Sequence, residues 1–209
     1  MKPRNKRLAG VLAAAGLAIG AAMIGFAGTA RADVIPPPAP TWSEIYNPFL
    51  HDQNITLCAD DPSGSTANGQ WMQLWRCHGY ASNGAPQRWY FLPSYVQDGS
   101  GNWVPLTEDG NQVYEILNLA SGECLDREDG SLGNPVTLRT CDNNDSELRW
   151  ELLPTPLSST AFELSTWPRD DPRFTPQCVS ASNFTDRNGT GLVKELCEPY
   201  DTSQLWSLG

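Results

Sequence analysis

The sequence predicts an all-β domain made of three related units closed around a pseudo-threefold axis. Three observations carry that expectation. A Cys/Cys/Trp pattern occurs three times in the same order. No stretch after Trp42 has the periodicity of a long helix. Short alternating runs such as Val136-Thr137-Leu138-Arg139-Thr140 are bounded by Gly, Pro, Asn and Asp, the signature of strands and turns. Units of about four short strands cannot bury a core alone, so the three must share one. A closed ring also limits exposed sheet edges.

The first unit reads Cys58-Ala59-Asp60, a Gly-rich turn, Gln73-Leu74-Trp75-Arg76-Cys77, a polar loop and Gln87-Arg88-Trp89. The second reads Cys124-Leu125-Asp126, then Val136 to Cys141, then Leu148-Arg149-Trp150. The third reads Cys178-Val179-Ser180, then Leu192 to Cys197, then Gln204-Leu205-Trp206. The paired cysteines are 19, 17 and 19 residues apart, and each unit is announced upstream by Glu44-Ile45, Glu115-Ile116 or Glu163-Leu164. The expected repeats span about 42–92, 112–153 and 161–208 within one domain of residues 42–208.

Residues 1–32 read as an export signal. Lys2, Arg4, Lys6 and Arg7 precede an Ala/Gly-rich apolar run, and Ala30-Arg31-Ala32 predicts cleavage after Ala32. The run is too weakly hydrophobic for a strong membrane anchor, so no membrane insertion is expected after cleavage. Residues 33–41, with Pro36-Pro37-Pro38, read as a stiff linker. Cleavage leaves 9 basic residues against 24 acidic ones, a formal charge of −15. That charge disfavours phosphate backbones and anionic membranes, so nucleic acid is not an expected partner.

Six cysteines in an exported chain predict three disulfides. Six allow about 15 pairings, and the repeat selects Cys58–Cys77, Cys124–Cys141 and Cys178–Cys197. Each closes a short loop, worth roughly 3 kcal/mol in the chain-entropy account. A metal site is the rival reading, but these long spacings with only His51 and His78 do not resemble zinc-ligand spacing. No metal and no cofactor are expected.

Strand parity then divides the labour. Met72, Leu74 and Arg76 alternate with Gln73, Trp75 and Cys77, so the two sets face opposite sides. Met72 and Leu74 match Val136 and Leu138 and should enter the shared core. Gln73 and Trp75 should face a local surface beside Asp60, drawn together by Cys58–Cys77.

With these three units in register, the chain resembles the ricin B-type β-trefoil lectins over residues 42–208, through Cys-Leu-Asp and Gln-x-Trp signatures. The resemblance implies a β-trefoil and a sugar pocket with an Asp two residues after the first Cys, an aromatic platform and amide side chains. A carboxylate accepts hydrogen bonds from adjacent hydroxyls, and an aromatic face covers the apolar side of a sugar ring. Carried over, the first repeat offers Asp60, Gln73, Trp75 and Gln87, with Pro86 where the family has Asn and Asn83 as the substitute. The second keeps Asp126 but has Thr137, Arg139, Glu147 and Leu148; the third has Ser180, Val193 and Glu195. Only the first looks competent.

The expected function is therefore a secreted, non-catalytic carbohydrate-binding module, its ligand a galactose-like or xylan-like glycan. The rivals are a degenerate trefoil that binds a protein partner and a small glycosidase. The acidic pairs Glu128-Asp129 and Asp170-Asp171 are adjacent in turns, which is not the separation across a cleft that glycosidases need. Asp60 before Asp61-Pro62-Ser63-Gly64 has a plainer reading as a turn residue. Trp103, in a Gly-rich insertion within residues 97–111, is an aromatic outside the repeat that could mark a binding surface. Four Asn-x-Ser/Thr sites, at Asn54, Asn144, Asn183 and Asn188, read as chance.

Overall fold

The computed structural model describes residues 41–78, 85–128, 131–168 and 175–209. The export signal, most of the linker, Asn83, Asp129 and Asp170-Asp171 lie outside the described residues. The first repeat holds β1 (Ser43–Asp52), β2 (Ile55–Asp60), β3 (Gln70–Trp71), β4 (Gln73–Arg76) and β5 (Arg88–Pro93). The insertion adds β6 (Tyr95–Gln97), β7 (Trp103–Pro105) and β8 (Thr107–Glu108). The second repeat holds β9 (Asn111–Asn118), β10 (Cys124–Asp126), β11 (Thr137–Arg139) and β12 (Arg149–Thr155). The third holds β13 (Ser158–Thr166), β14 (Gln177–Ala181), β15 (Leu192–Leu196) and β16 (Leu205–Leu208).

The first and last strands of each repeat close a barrel. β1 pairs β5, β5 pairs β9, β9 pairs β12, β12 pairs β13, β13 pairs β16, and β16 returns to β1, all antiparallel. The middle strands form three hairpins, β2–β4, β10–β11 and β14–β15. These meet around the pseudo-threefold axis through a cycle of backbone hydrogen bonds. Met72 N–H donates to Val136 O (2.9 Å), Val136 N–H to Leu192 O (2.9 Å) and Leu192 N–H to Met72 O (3.0 Å). The fold is a β-trefoil.

Its core follows the repeat. Ile45, Ile116 and Leu164 enter it from the Glu-aliphatic pairs, and Met72, Val136 and Leu192 from the hairpins. Trp89, Trp150 and Trp206 are fully buried, and each indole N–H donates to the carbonyl that follows a first cysteine: Ala59 (3.1 Å), Leu125 (2.9 Å) and Val179 (3.0 Å). A buried donor must find an acceptor, so the tryptophan and the hairpin position one another. The disulfides are Cys58–Cys77, Cys124–Cys141 and Cys178–Cys197, as the repeat predicts.

The glutamates announcing each repeat are buried and lie opposite Arg88, Arg149 and Leu205 across the barrel seams. Lys194 breaks the apolar pattern. It is fully buried where the other hairpins place Leu74 and Leu138, and its ammonium donates to the carbonyl of Arg127.

Asp61 is the one residue of the first turn whose charge opposes folding. It has no exposed surface, neither of its carboxylate oxygens takes a hydrogen bond from the described residues, and burial lifts its carboxyl to about 6.

Two predictions follow from these buried groups. Trp150→Phe strands the Leu125 carbonyl and opens a void, so denaturant unfolding should show a loss of about 2–3 kcal/mol; Trp71→Ala, on an exposed ring, should change stability by less than about 0.5 kcal/mol. A carboxyl raised on folding binds its proton more tightly in the native state, so stability is lost as pH rises from the ordinary carboxylate range through about 6. Asp61→Asn should therefore stabilise the protein at about pH 8 and be near neutral below about pH 4.

Candidate functional site

The first hairpin pairs Cys58 with Trp75, Ala59 with Leu74 and Asp60 with Gln73. Directly opposed residues of an antiparallel pair share a face. Cys58, Asp60, Gln73 and Trp75 therefore lie on one side and Ala59 and Leu74 on the other, in the core. Gln73 Nε2 donates to Asp60 Oδ2 at 2.8 Å. Asp60 is 6% exposed and sits at the end of β2. The turn hydrogen bond belongs to the next residue, with Gly64 N–H donating to Asp61 O at 3.2 Å. Asp60 is thus not a turn-forming residue.

Trp75 is half-buried and rests against the third repeat. A side chain at Gly189 would meet its ring, since a Cβ there would lie 4.0 Å from Trp75 Cζ3, and Gly189 has φ +82°. The 187–191 loop is zipped to β4. Leu74 N–H donates to Thr190 O (2.7 Å), Gly189 N–H to Leu74 O (2.8 Å) and Arg76 N–H to Asn188 Oδ1 (2.7 Å). Arg76 also pairs with Asp52 at 3.2 Å. Asn188 and Gly189 escape a repeat-based reading, because they reach β4 from the third repeat, while Asp52 reaches it from the end of β1. Asn188 stood out in the sequence only as a glycosylation triplet.

Gln87 is placed differently from the other three. It is fully buried, its Oε1 accepts from His78 N–H (2.8 Å) and its Nε2 donates to Arg76 O (3.0 Å). Gln204 makes the same two bonds in the third repeat, accepting from Glu198 N–H (2.9 Å) and donating to Leu196 O (2.8 Å). Gln87 therefore holds the segment after Cys77, and its amide is not presented to a ligand. The carbonyl of Pro86 accepts from Asp61 N–H (3.0 Å) and Asn118 Nδ2 (2.9 Å), tying the same turn behind Asp60.

The corresponding positions of the other repeats are closed on themselves. In the second, Arg139 takes the place of Trp75 and its guanidinium reaches Asp126 (3.3 Å), Asp145 (2.6 Å) and Glu147 (3.1 Å). Thr137 Oγ1 also donates to Asp126 Oδ2 at 3.3 Å. Burial raises the Asp126 carboxyl despite the nearby guanidinium, and the three carboxylates raise Arg139 in spite of its own desolvation. In the third, Ser180 Oγ donates to Glu195 Oε2 (3.0 Å) and lies 2.9 Å from Ser203 Oγ, which donates in turn to Asp201 (2.7 Å). Asp60 keeps a carboxylate oxygen, Oδ1, that takes no hydrogen bond from the described residues, whereas both oxygens of Asp126, its counterpart in the second repeat, are engaged. Among the described residues no group of three or more His, Cys, Asp or Glu side chains has a metal-binding arrangement.

No protein-family model matches the chain. It is 27% identical over 122 residues to polypeptide N-acetylgalactosaminyltransferase 10 of Rattus norvegicus, a match covering 56% of this chain and 18% of that protein. The chain thus spans under a fifth of that curated relative. Its structure resembles the designed threefold-symmetric protein ThreeFoil, with TM-score 0.57 and 17% identity over 80% of this chain and 96% of that one. It also resembles the ricin B-like lectin of Macrolepiota procera, solved in complex with lactose, with TM-score 0.56 and 13% identity over 83% of this chain and 98% of that one. The chain has the β-trefoil fold of the ricin B-type lectins.

Proposed function

We propose that this protein is a non-catalytic carbohydrate-binding module whose sugar pocket lies on the first hairpin. The observation that carries this reading is the contrast among three equivalent positions. Arg139 and Glu195 are engaged by their own repeats, whereas Trp75 offers a half-buried ring beside Asp60 and Gln73. A ring face takes up the apolar side of a pyranose, and Asp60 Oδ1 accepts from a hydroxyl. Gln73 holds the carboxylate in place and offers its carbonyl oxygen as a second acceptor. A galactose-like or xylan-like glycan fits this chemistry, and one shallow site binds at about the millimolar level, near −4 kcal/mol. Asn83, which lies outside the described residues, belongs to this proposal as the amide that substitutes for the family's Asn where Pro86 stands.

Export completes the reading: the leader is removed after Ala32 and the three disulfides form outside the cytoplasm. A second reading, a trefoil scaffold for a protein partner, draws on the internally satisfied positions of repeats two and three.

Three measurements check these statements. On a glycan array, displayed multivalently, the protein should bind a defined neutral glycan, and Asp60→Ala and Trp75→Ala should each reduce binding at least about tenfold while folding normally. Arg139→Ala and Glu195→Gln should leave binding unchanged; loss of a protein partner through these two, with no glycan bound, would favour the scaffold. Amino-terminal sequencing of the exported protein should begin at Asp33, and a chain that retains Met1 would contradict processing.

A further inference from the structure

The insertion between the first two repeats builds a cleft that shares no residue with the first hairpin. Its frame is the β6–β7 hairpin, which pairs Tyr95 with Pro105, Val96 with Val104 and Gln97 with Trp103. Its tip is fixed by Asp98, whose Oδ1 accepts from Ser100 N–H (2.8 Å) and Asn102 N–H (2.9 Å). Parity puts Tyr95, Gln97 and Trp103 on one face. That face lines a cleft of about 720 Å³ whose opposite wall comes from the second repeat, with Asn143, Asn144 and Arg149. Trp103 is 68% exposed and Tyr95 49% exposed. Two large aromatic surfaces held open on a stiff hairpin are not explained by packing.

Two polar atoms of this lining have no hydrogen-bond partner among the described residues. Ser94, only 6% exposed, lines it, and its buried Oγ has no hydrogen-bond partner. Arg149 Nε is buried without an acceptor, although the same guanidinium donates to Asn143 O (2.7 Å) and lies 5.2 Å from the Trp167 ring centroid. A buried hydroxyl or N–H normally has a partner, and one left open beside a cleft calls for a ligand atom. Aromatic faces together with a hydroxyl, amides and a guanidinium make a set that binds a ring with one apolar face and many hydroxyls. The chain's formal charge of −10 disfavours an anionic ligand.

We infer that the cleft between the β6–β7 hairpin and the 143–149 segment is a second carbohydrate site, which takes a neutral oligosaccharide with Trp103 as its platform. It stands independently of the first hairpin's pocket, and the two together would make the chain bivalent.

Fluorine NMR of the protein carrying fluorinated tryptophan separates the two sites. The eight tryptophan signals can be assigned by Trp→Phe replacement, and the probes are lactose, xylotriose and cellotriose. At least one probe should move the Trp103 signal saturably. That shift should persist in Asp60→Ala, vanish in Tyr95→Ala and weaken about fivefold in Asn143→Ala. A Trp75 shift with a silent Trp103 would overturn the second site and keep the first, and a Trp103 shift alone would do the reverse. Silence at Trp103 across the panel, or a shift that grows linearly without saturating, would overturn this inference.

Discussion

Everything in this molecule depends on a buried indole N–H reaching a hairpin carbonyl, three times. Trp89, Trp150 and Trp206 come from the last strand of each repeat, and the carbonyls of Ala59, Leu125 and Val179 come from its middle hairpin. The bond couples barrel to cap, because a slip by one residue would leave a buried donor and acceptor unpaired. The disulfides hold the same hairpins in the same register, with Cys58, Cys124 and Cys178 opposite Trp75, Arg139 and Glu195. Register fixed in this way determines which side chains face the core and which face outward.

Because the scaffold is constant, chemistry at the three outward positions depends on side-chain identity alone. A guanidinium among three carboxylates closes the second position, and a chain of hydroxyls leading to Glu195 and Asp201 closes the third. At the first, an uncharged ring cannot neutralise the neighbouring carboxylate, so Asp60 keeps hydrogen-bonding capacity for another molecule. The same substitution logic reaches inside: Lys194 replaces a core leucine, and the Arg127 carbonyl accepts from its ammonium. The scaffold thus accommodates internally paired polar residues at positions that are apolar or aromatic in another repeat.

Much of this was legible in the residues. Three cysteine pairs in register determine the disulfides, the final tryptophans mark the core, and alternation places Gln73 and Trp75 beside Asp60. What was illegible came from contacts between repeats or from the backbone. Gln87 carries the residue type of a sugar ligand, yet both ends of its amide are taken by main-chain groups after Cys77. Asn47 and Asn118, three residues beyond Glu44 and Glu115, fold the chain by accepting from the next turn's N–H groups. That recurrence was in plain view as Glu-Ile-x-Asn, but a lone polar residue after an apolar pair reads as solvated. Gly189 reaches Trp75 and Asn188 reaches the Arg76 N–H from another repeat, which no local pattern reveals. The insertion was visible as a Gly-rich stretch carrying Trp103, whereas hydrogen bonds to Asp98 make it a defined hairpin.

The central claim is that three equivalent positions hold one competent pocket on the first hairpin. A crystal structure of the protein soaked with a neutral glycan tests it most directly. The account predicts a sugar ring against Trp75 with a hydroxyl on Asp60 Oδ1, and none against Arg139 or Glu195. A sugar held at the second or third hairpin, with the first empty, would contradict it.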